Sequence, residues 1–273
     1  MGEPIFYFHG FPGSRFEAAP FDQIAQAGHY RLIGIDRPGM GLSTPEPNRT
    51  LLSWVDDIVC FANVLNIDTF SIIGHSGGTP FAAACAYQIP QRLKGVAIVS
   101  GMAPLDNLEA NIGMPMSRRL VNGLIKTFPC LITPMLTMTQ RMLKKPDGKM
   151  MQQMLKQLPT LDQAVFNDSD YRAKLISGTL EAFRQGKKGL AQEMKLLFKP
   201  WGFELEKITC PITVWHGSLD IQAPLSHAQI YANLISQVTL KILPDEGHHS
   251  ILKNHIAEIM DCLVTTTNKQ ENE

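Results

Sequence analysis

The sequence FSIIGHSGG, which runs from Phe70 to Gly78, decides the fold of this chain. Its first five residues have the apolar, β-rich composition of a buried strand, and the segment Gly77–Gln88 has the composition of a helix. A strand that turns sharply into a helix brings backbone segments too close together for a Cβ atom, so glycines must flank the residue at the turn. Such a turn projects the Ser76 hydroxyl away from the sheet. The pattern therefore predicts a nucleophilic serine between a strand and a helix.

Similar apolar runs recur on both sides of this stretch, separated by segments of helical length. Predicted strands are Ile5–His9, Arg31–Asp36, Phe70–Gly74, Gly95–Ser100, Ile212–Gly217 and Val238–Leu243. Predicted helices are Phe16–Gln26, Leu51–Leu65, Gly77–Gln88, Leu225–Leu234 and Ser250–Val264. Thr50 is the expected N-cap of the second of these helices. The alternation predicts the α/β class, with a mostly parallel sheet of about six strands flanked by helices.

The alternation stops after the strand Gly95–Ser100. Between residues 104 and 200 there are helical segments interrupted by prolines and no strand pattern. We expect a helical cap over 104–200, inserted into a core formed by residues 1–103 and 201–273.

A serine hydroxyl needs a base to accept its proton and a third group to hold that base. In a sheet of this kind the acid and then the histidine follow later strands along the chain. Asp220 follows Ile212–Gly217, and His248 follows Val238–Leu243. Asp106 is the alternative acid and His249 the alternative base. Asp220 and His248 both come at the carboxyl ends of strands, where open α/β sheets place their sites. We favour His248 over His249 because it stands next to Gly247, and because adjacent residues point in different directions only one of the two can reach Ser76.

The reaction also needs backbone N–H groups that point at the developing negative charge of the carbonyl oxygen. Gly77 supplies one, because it directly follows the serine at a helix N-terminus. The glycine-rich loop His9–Gly13 supplies the other, and Phe11 is the best donor in it because Pro12 has no N–H. We therefore predict an oxyanion hole formed by Phe11 and Gly77.

Taken together, these segments resemble the α/β-hydrolase fold family in its cap-bearing serine-hydrolase branch. The matching pieces occur in family order and are His9–Gly13, Asp36–Ser43, the Ser76 turn, Asp220 and Gly247-His248. The resemblance implies that Asp36–Gly39 is a structural turn bordering the site. Since the nucleophile is serine, it disfavours the dehalogenases and epoxide hydrolases of this fold, which use aspartate.

The predicted function is a carboxylesterase-like serine hydrolase that acts on a small substrate through an acyl-enzyme on Ser76. Nine of the 13 methionines fall between Met102 and Met154. This concentration indicates either an adaptable apolar binding surface or ordinary helix packing. A ligand-sensing or partner-binding protein with little or no catalysis is the alternative, because a fold alone does not fix function. The sequence does not distinguish ester from thioester, amide or carbon–carbon bonds.

Composition excludes several other classes. The chain has 25 basic and 25 acidic residues, so it has no overall charge to attract nucleic acid or anionic lipid. No apolar run reaches the roughly 20 residues of a membrane span, and there is no secretory signal. Five widely spaced cysteines without a Cys-x-x-Cys pair suit free thiols in the cytoplasm. His216, His248 and His249 lack zinc-site spacing, and we expect no metal, no cofactor and a small-molecule substrate as partner.

One departure from the family pattern concerns the sheet edge. Family members usually begin with an antiparallel hairpin before the strand that enters the His-Gly loop, whereas this chain reaches that loop at His9. The expected strand order therefore starts with Arg31–Asp36 as the outermost strand, followed by Ile5–His9 and Phe70–Gly74. An exposed edge strand recruits other strands, so we expect a homo-oligomer through Arg31–Asp36, or poor solubility.

Overall fold

Six parallel strands form one sheet in the computed structural model, which describes residues 2–270 and, among these, all side chains except those of 108 and 265–270. The strands are β1 Glu3–Phe8, β2 Tyr30–Ile35, β3 Phe70–His75, β4 Leu93–Val99, β5 Ile212–Gly217 and β6 Val238–Leu243. Their order is β2-β1-β3-β4-β5-β6. The predicted α/β sheet of six parallel strands is confirmed, and β2 is its outer strand as expected.

The chain reverses its direction of travel across the sheet at β1. From β1 it moves outward to β2, then crosses back to β3 and continues to β6. Ligand sites in open α/β sheets lie at such a switch point, beyond the carboxyl ends of the strands. Phe8 is in register with Gly74. The loop after β1 and the turn after β3 therefore leave the sheet side by side.

Eleven α-helices are present among the described residues. They are α1 Asp22–Ala27, α2 Ser53–Val64, α3 Thr79–Gln88, α4 Met116–Thr127, α5 Ile132–Leu143, α6 Lys149–Leu155, α7 Thr160–Asn167, α8 Ser169–Ala182, α9 Lys188–Leu197, α10 Leu225–Leu234 and α11 Ser250–Gln270. The prediction for α10 is confirmed at both ends. The N-cap of α2 is Leu52, which makes no side-chain cap hydrogen bond, so the prediction that Thr50 is the N-cap is wrong. Thr50 lies three residues before Ser53, and the two exchange hydrogen bonds of 2.9 Å between their backbone N–H groups and side-chain oxygens at the start of the helix.

The prediction of a single helix over Phe16–Gln26 is wrong. A 3₁₀ segment covers Arg15–Phe21, and α1 begins only at Asp22. Pro20 lies inside the 3₁₀ segment and has no N–H to donate, so an α-helix cannot run through it undisturbed.

Between β4 and β5 the described chain contains helices and 3₁₀ turns and no strand. Prolines stand where helices begin: Pro115 precedes α4, Pro159 precedes α7, and Pro134 lies in the first turn of α5. The N–H groups of a first helical turn have no intrahelical acceptor, so proline costs little there. The prolines that interrupt the sequence pattern therefore separate the helices of this region.

A buried charge cluster joins this helical region to the sheet. Glu193 on α9 accepts hydrogen bonds from Arg37 at 2.6 and 2.9 Å and from Arg49 at 3.0 Å, and all three side chains are buried. Arg37 also donates to the carbonyl oxygens of His9 and Gly10, at 2.6 and 3.0 Å. The residues that follow β1 are thus held by an arginine whose counter-charge lies on α9.

The length and apolar composition of α4 and α5 can be compared with those of a membrane span. Among residues 2–270 no single helix is long and apolar enough to cross a membrane. Taken together, Met116–Thr127 and Pro129–Leu143 reach that length and composition, but the pair is bent by 111°.

Candidate active site

Ser76 occupies a strained turn between β3 and α3. Its φ angle is 50°, in the left-handed region that non-glycine residues rarely adopt. A Cβ atom on Gly74 would lie 2.8 Å from the side chain of Ala82, and one on Gly78 would collide with the carbonyl oxygen of Phe8. Steric crowding therefore requires glycine at positions 74 and 78, as the sequence indicated.

The two predicted N–H donors border this turn. A Cβ atom on Gly77 would lie 2.7 Å from the Cβ of Phe11 and 3.2 Å from its backbone nitrogen. A Cβ atom on Gly10 would lie 3.4 Å from the Cβ of Ser76. Phe11 and Gly77 thus lie in contact beside Ser76, and glycine at 77 keeps the space between them open.

His248 and Asp220 form a buried pair. The Nδ1 atom of His248 lies 2.7 Å from Oδ2 of Asp220. The other carboxylate oxygen of Asp220 accepts backbone N–H groups from Gln222 at 2.8 Å and Ala223 at 2.9 Å. Burial raises the pKa of Asp220, but the charge and hydrogen bond of His248 outweigh it and hold that pKa well below its usual range. Asp220 is therefore an ionised partner that fixes the imidazole of His248.

The alternative acid and base lie elsewhere. Asp106 is exposed after β4 and has no hydrogen bond to a histidine within the described part of the chain. His249 faces Gln222, with 3.1 Å between their Nε2 atoms, and its ring packs edge-on against Phe166. Burial lowers the pKa of His249 to about 4. The structure thus brings His248, and not His249, to Asp220.

His75 links the Ser76 turn to the loop that carries His248. Its Nε2 atom lies 3.3 Å from the carbonyl oxygen of His248, which also accepts the Ser100 hydroxyl at 3.1 Å. The His75 and His248 rings are 5.1 Å apart. The residue before Ser76 therefore contacts the backbone of His248.

A cavity of about 110 Å³ opens over Ser76. Its walls are largely apolar, with polar side chains from α4 and from the loop before α10. The lining residues are Phe11, Ser76, Gly77, Met102, Leu105, Met114, Arg118, Asn122, Met194, Leu197, Phe198, Gln222, Ala223 and His227. Among the described residues, only two methionines of the stretch Met102–Met154 line the cavity, and they are Met102 and Met114. Met135, Met142 and Met151 instead pack within the helical region.

The sequence model of the alpha/beta hydrolase fold family matches residues 3–255. The chain belongs to this family. A metal site is not evident in it, since no group of three or more His, Cys, Asp or Glu side chains within the described residues could hold an ion.

Two proteins of known sequence and one of known structure are similar to this chain over more than nine-tenths of its length. The chain is 26% identical to the dihydrolipoyllysine-residue acetyltransferase component of the acetoin cleaving system of Cupriavidus necator, over 91% of this chain and only 59% of that protein. It is 24% identical to the uncharacterized hydrolase YcgS of Bacillus subtilis, over 94% of this chain and 88% of that one. A thermophilic esterase from Thermogutta terrifontis shares the fold, with a TM-score of 0.68, 23% identity, and coverage of 98% and 91%.

Sequence reasoning missed two residues around this site, and the first is Asp162 on α7. Its buried carboxylate accepts three consecutive backbone N–H groups, those of His248 and His249 at 2.9 Å and of Ser250 at 2.8 Å. A Cβ atom on Gly247 would collide with this carboxylate. Asp162 therefore holds the loop that carries His248 and caps the first turn of α11.

Glu17 is the second missed residue. It accepts hydrogen bonds from the Tyr7 hydroxyl at 3.0 Å and from the Gly10 N–H at 3.1 Å, and it lies 2.7 Å from Nδ1 of His75. Burial raises the pKa of Glu17, but the opposing effect of His75 lowers it to about 2. An ionised carboxylate therefore ties the loop after β1 to the residue that precedes Ser76. The only sequence signal was its position shortly after that loop.

Proposed function

We propose that this alpha/beta hydrolase is a serine hydrolase of carboxylesterase type, which cleaves an ester of a small, apolar substrate through an acyl-enzyme on Ser76. The observation that carries the proposal is the 2.7 Å contact between His248 and Asp220, which is linked to Ser76 through the preceding residue, His75, whose Nε2 atom lies 3.3 Å from the His248 carbonyl oxygen. Ser76 lies in the turn directly after β3, where its φ angle is 50°. The esterase with the same fold supports hydrolysis as the class of reaction.

In the proposed reaction each group has one task. His248 accepts the Ser76 proton on Nε2, because its Nδ1–H is engaged by Asp220. The Ser76 oxygen attacks the substrate carbonyl, and the N–H groups of Phe11 and Gly77 stabilise the oxyanion. His248 then gives the proton to the leaving alcohol. Water attacks the acyl-enzyme with the same assistance and frees the acid.

The cavity supports an apolar acyl or alcohol group on the substrate. Met102, Leu105 and Leu197 contribute to its wall beside Ser76. A chain of only a few carbon atoms suits a volume of about 110 Å³. Short p-nitrophenyl esters are therefore suitable first substrates.

The nucleophile is tested with a fluorophosphonate probe. We expect the probe to add to the peptide that contains Ser76, and Ser76→Ala to abolish labelling, because only this hydroxyl has a base to accept its proton. Ser177→Ala, at an exposed position on α8, is the matched control and should label like the wild type. Equal labelling of Ser76→Ala and wild type would refute the assignment. Ligand binding by a chain that the probe never labels would favour the ligand-sensing alternative.

The base and the acid are tested by two pairs of variants, assayed on p-nitrophenyl acetate. His248→Ala and Asp220→Asn should each lower kcat/KM by about 10³-fold or more, since loss of either leaves Ser76 without a correctly held base. His249→Ala and Asp106→Asn are the matched controls and should retain most activity. The opposite ranking within either pair would transfer the role to the neighbouring histidine or to Asp106.

A further inference from the structure

The zero net charge of the chain hides an uneven distribution along the sequence. We call residues 110–158 the basic segment, which contains α4, α5 and α6. It has eight lysines and arginines but a single acidic residue, Asp147. The basic residues are Arg118, Arg119, Lys126, Arg141, Lys144, Lys145, Lys149 and Lys156. The rest of the chain has a matching acidic excess. Because salt screens charges beyond about 8–10 Å, a neutral chain can still present a positive face.

The charges of the basic segment are available to a partner. All eight cationic residues have exposed surface. Arg118 also lines the cavity over Ser76, so the other seven are the cations available to a partner. None of them forms a salt bridge within the described residues, whereas Asp147 is neutralised by Arg172 on α8 at 2.6 Å. An anionic surface would therefore meet unpaired cations.

The same segment exposes an apolar helix face. Met116, Leu120 and Leu124 follow one another at intervals of four residues on α4, so they lie in one row along the helix. Their exposed fractions are 68%, 61% and 49%, and Phe128, which continues the row, is 53% exposed. Val121 widens this face. A helix that combines a row of large apolar side chains with neighbouring cations has the pattern of helices that lie in a lipid interface.

We propose that the exposed face of α4 (Met116, Leu120, Val121 and Leu124), together with Phe128 directly after the helix, inserts into the surface of an anionic lipid bilayer. The apolar row enters the boundary between headgroups and acyl chains, and the unpaired cations of the basic segment bind the lipid headgroups. A second copy of the chain fits less well, because a symmetric contact through this face would bring two sets of unpaired cations together.

The placement has a geometric consequence for the cavity. Met114, Arg118 and Asn122, at the start of α4 and on it, line the cavity over Ser76. If a bilayer contacts the exposed face, α4 alone therefore separates the bilayer from that cavity. Binding to lipid does not depend on the proposed hydrolysis, so the two are tested separately.

The first experiment measures co-sedimentation of the full chain with vesicles. Vesicles with about 30% phosphatidylserine should bind the protein, and vesicles of phosphatidylcholine alone should bind it at least about tenfold more weakly. Raising the salt from about 0.05 M to about 1 M should release most of the bound protein. Absence of binding to the anionic vesicles at low salt, or equal binding to both compositions, would overturn the proposal.

The second experiment uses substitutions on the surface, each with a matched control. Leu120→Ser combined with Leu124→Ser, and separately Lys126→Glu, should each weaken binding by about fivefold or more. Val64→Ser, which removes a 74% exposed apolar side chain on α2, and Lys199→Glu, outside the basic segment, should leave it unchanged. Equal losses in the control variants would overturn the proposal.

A third readout does not depend on removing side chains. Leu124→Trp places an indole on the exposed face, whereas Trp54, Trp201 and Trp215 are buried. Its emission should shift to shorter wavelength when anionic vesicles are added and should not shift with neutral ones. An unshifted spectrum in the presence of both vesicles would contradict insertion. Conversion of an oligomer to a monomer by the double serine variant, without lipid binding by the wild type, would show that this face joins copies of the chain instead.

Discussion

Asp162 binds three backbone N–H groups that begin at His248, so a single carboxylate on α7 fixes the position of the proposed base. Asp162→Asn keeps the size of the side chain but replaces one acceptor oxygen with an N–H donor that faces those N–H groups. We expect the free energy of unfolding to fall by about 1–3 kcal/mol. We also expect kcat on p-nitrophenyl acetate to fall by about tenfold or more, because a small misplacement of the base slows the reaction.

Two measurements separate these effects. Urea denaturation reports stability, and kcat is measured where the variant is fully folded. Asp170→Asn, on the exposed start of α8, is the matched control and should change neither quantity. A normal kcat in folded Asp162→Asn would show that the His248 loop keeps its position without this carboxylate.

Asp162 also illustrates which site residues could not be predicted from the sequence. Ser76, Asp220 and His248 were predictable because each follows an apolar strand and the turn around Ser76 needs its glycines. Asp162 stands three residues after Pro159, in the first turn of a helix, where an acidic residue is common for reasons local to that helix. Its true partners are backbone N–H groups 86 to 88 residues further along the chain. Because nearly every residue has the same backbone N–H group, the identities of residues 248–250 do not indicate that they bind a carboxylate.

At the scale of elements, strands were predicted better than helices. Every predicted strand is present within two residues of its predicted bounds, because each has a short apolar, β-rich sequence separated from the next by a segment of helical length. The segment Phe16–Gln26 has helical composition but contains Pro20, and proline changed the type of helix over Arg15–Phe21. Composition thus predicted where the elements lie, whereas a single proline determined which type of helix forms over Arg15–Phe21.

The outer strand β2 is the element behind the predicted self-association. It pairs only with β1 among the described residues, and every residue of β2 is partly exposed, whereas β3 is fully buried. Unpaired N–H and C=O groups along such an edge accept another strand. We expect sedimentation velocity to show larger species as the protein concentration rises from about 1 µM to about 100 µM.

Hydrogen exchange identifies the surface involved. The amides of Tyr30–Ile35 should exchange more slowly at the higher concentration, while those of β3, already paired on both sides, serve as the internal control and should not change. A monomer at all concentrations, with exchange in β2 as slow as in β3, would contradict the prediction.

For the whole molecule, buried histidines set the response to acid. Burial lowers the pKa of His9 and of His227 from 6.5 to about 4. Between these values the unfolded chain binds protons that the folded chain does not, so the free energy of unfolding falls as the pH falls from about 6.5 to about 4. Each histidine contributes up to about 3 kcal/mol to this loss.

Urea denaturation at pH 7 and at pH 4.5 measures the effect. His227→Gln should lose less stability between these two pH values than the wild type, because it has one fewer buried group to protonate. His29→Asn, which removes an exposed histidine, should lose as much as the wild type. An identical pH dependence in His227→Gln and wild type would show that His227 does not contribute.

The charge cluster of Glu193 with Arg37 and Arg49 bears on how this protein can be recombined with its relatives. A chimera that joined residues 1–103 to a helical region without an acidic residue at the position of Glu193 would keep both arginines but lose the carboxylate between them. Two buried cations would then repel each other, and breaking a buried ion pair in this way costs about 3–5 kcal/mol. The region between β4 and β5 is therefore not an interchangeable module. A transplanted region would need an acidic residue at the position of Glu193, or compensating changes at Arg37 and Arg49 in the recipient.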